Sequence, residues 1–213
     1  MSVVTVDVIS DVMCPWCLIG KRRLERALKQ VPDVPVAVRW RPYQLDPTLP
    51  AEGRKRSEYL EAKFGGAERA RAVYATIEEA GRGEGIDFAF DRIERSPNTL
   101  DAHRLIRWAS SAEAENVQGK LVERLFEAFF LEGRHIGDHA VLIELAESVG
   151  MNGGIVRDLL ATDRDRAAVE AEIAQARVFG VTGVPCFVFN GRNGVMGAQD
   201  PETLAALIRR AAN

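Results

Sequence analysis

The sequence has few cysteines, no long apolar run and no excess of charge of one sign. Only three cysteines occur among 213 residues, an odd number that is too small for a disulfide scaffold. No segment approaches the roughly 18 consecutive apolar residues of a transmembrane helix, so no membrane partner is expected. The 28 Lys and Arg residues are offset by 31 Asp and Glu, which argues against nucleic acid as a partner.

The beginning of the chain also lacks the features of a secretory signal. Residues 1–11 have neither a basic region nor a long apolar core. Together with the low cysteine content, this predicts a cytoplasmic protein whose cysteines are catalytic or inert.

The two ends of the sequence show α/β patterns. Residues 3–9 form a β-branched run typical of a buried strand. An amphipathic helix over 14–30 and an alternating strand over 34–41 follow. Near the other end, the patterns predict a helix over 164–179, a strand over 184–189, a hairpin turn at Asn190-Gly191, a returning strand over 195–198 and a last helix after Asp200.

Between these ends, successive apolar stripes at helical spacing predict a block of helices. One of these helices has clear boundaries, with Asp138 as its N-cap and Gly150 as its left-handed stop. The alternating segment 86–90 fits neither a helix nor a strand clearly. We therefore predict one α/β domain from residues 1–46 and 163–213, with residues 47–162 inserted as a helical domain.

The motif Cys14-Pro15-Trp16-Cys17 lies where the first strand leads into the first helix. Unpaired N–H groups and the positive end of the helix dipole favour a thiolate at such a position, which indicates Cys14 as a nucleophile. Cys17 follows one helical turn later, where it can close a disulfide with Cys14 or resolve a mixed disulfide.

A second feature is the proline in Gly183-Val184-Pro185, just before the apolar strand. Proline cannot donate to a strand ladder, so it is tolerated only at the start of such a strand. A cis Val184-Pro185 bond would leave the Val184 backbone able to pair with an extended substrate beside Cys14. An ordinary trans proline at a strand start is the alternative.

These features resemble the DsbA-like oxidoreductases of the thioredoxin fold. Further motifs are similar to the FrnE-type branch of that family, which lacks a signal peptide: Ser10-Asp11, Ser96-Pro97-Asn98-Thr99, Ala102-His103-Arg104-Leu105 and Gly197-Ala198-Gln199. That branch is related to the 2-hydroxychromene-2-carboxylate isomerases and the kappa-class glutathione transferases. Those relatives generally carry serine at the position of Cys14, so two thiols favour disulfide exchange here.

The resemblance implies an α/β thioredoxin fold, a mixed sheet flanked by helices, with a large all-helical insertion. It implies thiol-disulfide exchange on protein or small-molecule disulfides by Cys14 and Cys17, with no bound cofactor and with glutathione as a candidate co-substrate. The predicted substrate-binding residues are Pro15, Trp16, Val184, Pro185, Asn98 and His103.

Several alternatives stay open at this point. The protein could instead be a glutathione-dependent isomerase or transferase of a small aromatic compound, or a holdase-like protein that binds peptides. Oxidation, reduction and isomerisation of disulfides are all compatible with the motif. The apolar stripes of the sequence are compatible with a monomer and with a homodimer. Cys186 is interpreted as a buried apolar residue, with a regulatory thiol and a metal contact as alternatives, and no metal site is expected from the spacing of the remaining ligands.

Overall fold

The computed structural model describes residues 3–111 and 116–213. The chain divides into two compact units, one formed by residues 1–45 and 171–213 and the other by residues 46–170. The strands of the described residues are β1 (Val4–Ser10), β2 (Val36–Pro42), β3 (Arg54–Lys55), β4 (Arg95–Ser96), β5 (Cys186–Phe189) and β6 (Asn193–Met196). The helices are α1 (Pro15–Gln30), α2 (Arg56–Phe64), α3 (Ala67–Gly83), α4 (Leu100–Ala109), α5 (Val117–Phe130), α6 (His139–Ser148), α7 (Gly153–Leu160), α8 (Arg166–Val178) and α9 (Pro201–Ala212).

The first unit is built on a four-stranded mixed sheet in the order β2-β1-β5-β6. The central strand β1 runs parallel to β2 and antiparallel to β5, and β6 returns antiparallel to β5. The apolar residues of β1 explain its central place, since Val4, Val6 and Val8 are each at most 1% exposed. The predicted mixed sheet flanked by helices is therefore confirmed.

Local sequence signals account for several boundaries. Pro15 is the first residue of α1, and Asn190 and Gly191 both have positive φ in the hairpin turn between β5 and β6. The Asp138 side chain accepts a hydrogen bond from the Ala140 N–H at the start of α6, and Gly150 has a φ of 88° after its end. These four predictions are confirmed.

The structure also differs from the prediction in several places. The strand predicted over 184–189 begins only at Cys186, after Pro185. The returning strand β6 begins at Asn193, earlier than predicted, because the short turn of three residues lets pairing start at Phe189 and Asn193. The inserted block is not wholly helical, since β3 and β4 form a small antiparallel ladder. The ambiguous segment 86–90 is irregular and leads into a short 3-10 helix, Phe90–Arg92, because packing of its phenylalanines against Phe130 replaces regular pairing.

The core of the helical unit encloses one fully buried arginine. Arg104 of α4 is 0% exposed and donates hydrogen bonds to the carbonyl oxygens of Leu159, Thr162 and Arg164, at 2.9, 2.6 and 2.8 Å. Its Nη1 also lies 2.8 Å from a carboxylate oxygen of Asp101. The buried guanidinium thus holds the turn after α7 against α4 through three hydrogen bonds to backbone carbonyls.

Among the described residues, no helix combines the length and the apolar character that crossing a membrane requires.

Candidate active site

Cys14 occupies the N-cap position of α1. Its backbone is extended, its N–H donates to the Asp11 carbonyl at 2.9 Å, and its carbonyl accepts from the Cys17 N–H at 3.0 Å. The side chain is 5% exposed, and its sulfur lies 3.7 Å from the Val184 carbonyl oxygen. The strand-to-helix turn therefore places the Cys14 sulfur at the positive end of the α1 dipole and beside the loop that precedes β5.

Cys17 lies one turn further along α1 and is fully buried. Burial raises the pKa of the Cys17 thiol well above its ordinary value, and the neighbouring Cys14 sulfur raises it further. The Ser10 hydroxyl and the Asp11 backbone N–H lower this pKa to a smaller extent, since both can donate to a thiolate. Cys14 is thus the slightly more accessible of two adjacent thiols, whereas Cys17 is fully buried and its thiolate is disfavoured.

Asp11 shapes the turn between β1 and α1. Its carboxylate is 0% exposed and accepts hydrogen bonds from the Leu45 N–H at 2.8 Å and from the Met13 N–H at 3.4 Å. Because the carboxylate accepts from one N–H within the turn and from another after β2, it ties the chain that leads into Cys14 to the segment after β2.

The Val184-Pro185 bond is cis, so this prediction is confirmed. Among the described residues, the Val184 backbone makes no hydrogen bond other than the contact with the Cys14 sulfur. Its N–H is therefore available beside the sulfur.

Gly20 brings α1 against this loop and was not foreseen from the sequence. A Cβ at Gly20 would lie 2.7 Å from Pro185 Cγ, closer than such atoms approach, and 3.2 Å from Phe187 Cζ, which is tighter than most Cβ contacts. The available signal was a glycine inside an amphipathic helix, where it costs about 1 kcal/mol relative to alanine and needs a packing reason.

Cys186 lies on the opposite face of the sheet from the dithiol. Side chains alternate along β5, so Pro185 and Phe187 face α1, whereas Cys186 packs with Ile9, Ala176 and other apolar residues on the far side. Burial raises the pKa of its thiol. This arrangement fits the interpretation of Cys186 as a buried apolar residue and separates its sulfur from the Cys14-Cys17 pair.

The other predicted substrate-binding residues lie in different surroundings. Pro15 is buried and Trp16 is half-buried, both directly beside Cys14. In the helical unit, Asn98 donates to the Leu49 carbonyl at 2.6 Å and accepts from the Leu100 N–H, whereas His103 is only 2% exposed within α4. Substrate contact by these four residues stays a prediction.

All three cysteines are thiols in this structure. Within residues 3–111 and 116–213, no group of three or more His, Cys, Asp or Glu side chains is arranged to hold a metal ion.

The difference between the thiols predicts an order of alkylation. Iodoacetamide at neutral pH should modify Cys14 at least about 100-fold faster than Cys17, because only a thiolate reacts and burial disfavours the Cys17 thiolate. Peptide mass spectrometry after timed quenching measures both rates, with the buried Cys186 as an internal control that should also react slowly. Similar rates for Cys14 and Cys17 in the native protein would contradict this prediction, whereas all three rates should converge in denaturant.

Comparison with known proteins agrees with this geometry. The model of the DSBA-like thioredoxin domain matches residues 5–209. A probable DsbA oxidoreductase from Streptomyces coelicolor is 31% identical, with 98% of this chain and 89% of that chain covered and a TM-score of 0.87. The uncharacterized protein YwbO of Bacillus subtilis is 29% identical over 193 residues, which cover 87% of this chain and 86% of YwbO.

Two solved structures share the fold at lower identity. One is a 2-hydroxychromene-2-carboxylate isomerase, 14% identical, with coverages of 97% and 95% and a TM-score of 0.72. The other is the cytosolic disulfide reductase DsbM from Pseudomonas aeruginosa with GSH, 18% identical, with coverages of 97% and 98% and a TM-score of 0.63. At these identities the two neighbours share the fold of this chain. The chain therefore belongs to the DsbA-like thioredoxin domain family, and it has the thioredoxin fold with a helical insertion.

Proposed function

We propose that this protein catalyses thiol-disulfide exchange, with Cys14 as the nucleophile and Cys17 as the resolving thiol. The observation that carries the proposal is the position of the Cys14 sulfur, at the N-terminus of α1 and 3.7 Å from the Val184 carbonyl beside Pro185. A thiolate at this position meets both the positive end of the helix dipole and a backbone segment that can hold a substrate.

The first step is an attack of the Cys14 thiolate on one sulfur of a substrate disulfide. A bond forms between Cys14 and that sulfur, the substrate disulfide breaks, and the second substrate sulfur leaves as a thiolate that takes up a proton. The product of this step is a mixed disulfide on Cys14.

The second step resolves the mixed disulfide. Cys17 loses its proton and attacks the Cys14 sulfur, which releases the first substrate sulfur as a thiolate and closes the Cys14-Cys17 disulfide. Two electrons pass from the dithiol to the substrate, and the reverse sequence oxidises a substrate dithiol. Ser10 Oγ is buried and makes no hydrogen bond of normal geometry among the described residues, so its hydroxyl is available to the Cys17 thiolate that forms in this step.

Substrate binding would use the backbone at Val184. An extended peptide can pair with its N–H and carbonyl groups, as in the addition of a strand to a sheet edge. Pro15 and Trp16 would flank the Cys14 sulfur, and Asn98 and His103 are the predicted contributors from the helical unit.

The proposed substrates are protein or small-molecule disulfides, with glutathione as the thiol that resets the dithiol. No bound cofactor is needed, because the Cys14-Cys17 pair itself carries the two electrons. We place the reaction in the cytoplasm, in line with the cytosolic DsbM and with three cysteines that offer no structural disulfide scaffold.

Replacing Cys17 with serine tests the order of the two steps. Incubated with a peptide that contains one disulfide, Cys17→Ser should accumulate a mixed disulfide on Cys14, because the resolving thiol is missing. Non-reducing mass spectrometry identifies the adduct and its position. Cys186→Ser is the matched control and should turn over the peptide like the wild type. An adduct on Cys186, or the absence of any adduct, would contradict the proposed roles.

Cysteine variants also distinguish disulfide exchange from the two alternative functions, an isomerase and a holdase-like protein. A glutathione-dependent isomerase of a small aromatic compound should bind reduced glutathione one-to-one and keep its turnover in Cys17→Ser. A holdase-like protein should suppress the aggregation of an unfolded client even when Cys14 and Cys17 are both replaced by serine. Either result, combined with a lack of disulfide exchange by the wild type, would replace the oxidoreductase proposal.

A further inference from the structure

The helical unit contains a cavity of about 350 Å³ between α2, α3 and the short 3-10 helix. Its walls are largely apolar and aromatic, formed by Leu60, Ala67, Ala70, Tyr74 and Phe90. Two arginines also line it, the buried Arg56 at the first position of α2 and the exposed Arg71. All of its lining residues belong to the unit formed by residues 46–170.

Arg56 is buried without an acidic partner. The residue is 6% exposed, and its Nη2 atom is enclosed with no hydrogen-bond partner. Among the described residues, no carboxylate lies within ion-pair distance of this guanidinium. Buried charges in folded proteins are normally paired, so an unpaired one inside a cavity points to a partner from outside the chain.

The aromatic rings around Arg56 attract its positive charge but provide few acceptors for its N–H groups. Its guanidinium carbon lies 5.0, 5.7 and 5.8 Å from the ring centres of Tyr74, Phe90 and Phe129. Aromatic faces stabilise the charge through their quadrupole, yet they offer no acceptor oxygen for the N–H groups. The hydroxyls of Tyr74 and Tyr59 are the polar groups that act on it favourably.

The acidic residues at the cavity do not neutralise Arg56. Glu61 and Asp91 line the cavity, but both are exposed and solvated. Burial lowers the pKa of Arg56, and neither carboxylate is among the groups that oppose this shift. The deep part of the cavity is therefore positive, whereas the charges at its rim are screened by water.

We infer that this cavity binds a small organic anion, a monocarboxylate with an aliphatic or aromatic body. The carboxylate would accept hydrogen bonds from the Arg56 guanidinium, and the apolar body would lie against Leu60, Ala70 and Phe90. The cavity volume lies within the range of small-molecule sites. Such sites are usually apolar and contain a few precisely placed polar or charged groups, as Arg56 is here. The start of α2 at Arg56 adds the positive end of a helix dipole on the same side.

A matched pair of probes tests this site. Isothermal titration of the whole protein with 4-phenylbutyrate at low ionic strength should give a dissociation constant in about the millimolar range. Its uncharged analogue 4-phenylbutyramide should bind at least about tenfold more weakly, because it lacks the charge that pairs with Arg56.

Three variants locate the binding. Arg56→Gln should weaken 4-phenylbutyrate at least about tenfold, whereas Arg71→Gln, which removes an exposed arginine of the same cavity, should change it less than about twofold. Ala67→Trp, at an exposed position, should block the cavity while Arg56 and the core stay intact. Circular dichroism checks that each variant is folded, and if Arg56→Gln is not, Ala67→Trp decides.

Three results would overturn the inference: equal affinity for the acid and the amide, undiminished binding of the acid by the folded Arg56→Gln or Ala67→Trp protein, or no binding of either probe by the wild type. None of these measurements depends on the thiols, so they leave the proposed exchange reaction untouched.

Discussion

Cys14→Ser is expected to reduce disulfide exchange by at least about 1,000-fold, to the background of the assay. A serine hydroxyl is not ionised near neutral pH, and the fully buried Cys17 cannot take its place because burial raises the pKa of its thiol and covers its sulfur. A loss of this size corresponds to about 4 kcal/mol of transition-state stabilisation. The measurement is the initial rate of reduction of a peptide disulfide in the presence of reduced glutathione.

Cys186→Ser provides the matched control for this experiment. Cys186 lies on the far face of the sheet, so its replacement should leave the exchange rate within about twofold of the wild type. Exchange that persists in Cys14→Ser but disappears in Cys186→Ser would show that the wrong thiol has been assigned as the nucleophile.

Arg104→Met should destabilise the protein by about 3–5 kcal/mol. Methionine fills part of the space but removes the donors of the Thr162 and Arg164 carbonyl groups. The Leu159 carbonyl loses one donor and keeps the N–H and hydroxyl of Thr162. The Asp101 carboxylate also loses one of the groups that hold its pKa below the ordinary value. Urea denaturation followed by circular dichroism gives the free energy of unfolding.

The neighbouring Arg107 serves as the control for Arg104. It lies on the same helix but is exposed, and its nitrogen is 3.9 Å from an Asp165 carboxylate oxygen. Arg107→Met should therefore cost less than about 1 kcal/mol, as is usual for exposed ion pairs. Equal destabilisation by the two variants would mean that the buried hydrogen bonds of Arg104 do not stabilise the helical unit.

The dithiol motif and the strand that follows Pro185 could be predicted because their signals are local. Cys14, Pro15 and Cys17 are read from the start of a single helix, and Pro185 from the start of a single strand. The central place of β1 likewise follows from its own β-branched residues.

The remaining features depend on contacts between distant parts of the sequence. The ladder between β3 and β4 has no strand pattern of its own, because each partner is only two residues long. Arg56 and Arg104 look like surface residues in a charged sequence, and only the folded helical unit shows that both are buried. The face of Cys186 follows from the alternation along β5, but the sequence alone does not say which face meets α1.

The close approach at Gly20 has a consequence for the kinetics of exchange. No side chain at position 20 separates α1 from Pro185, so the helix that begins after Cys14 and the loop beside it are in direct contact. The entropy of aligning these two parts is therefore lost when the protein folds and not when a substrate arrives. A disulfide bound along Val184 would meet the Cys14 sulfur at a high effective concentration, and a side chain at position 20 would lower it without touching either cysteine.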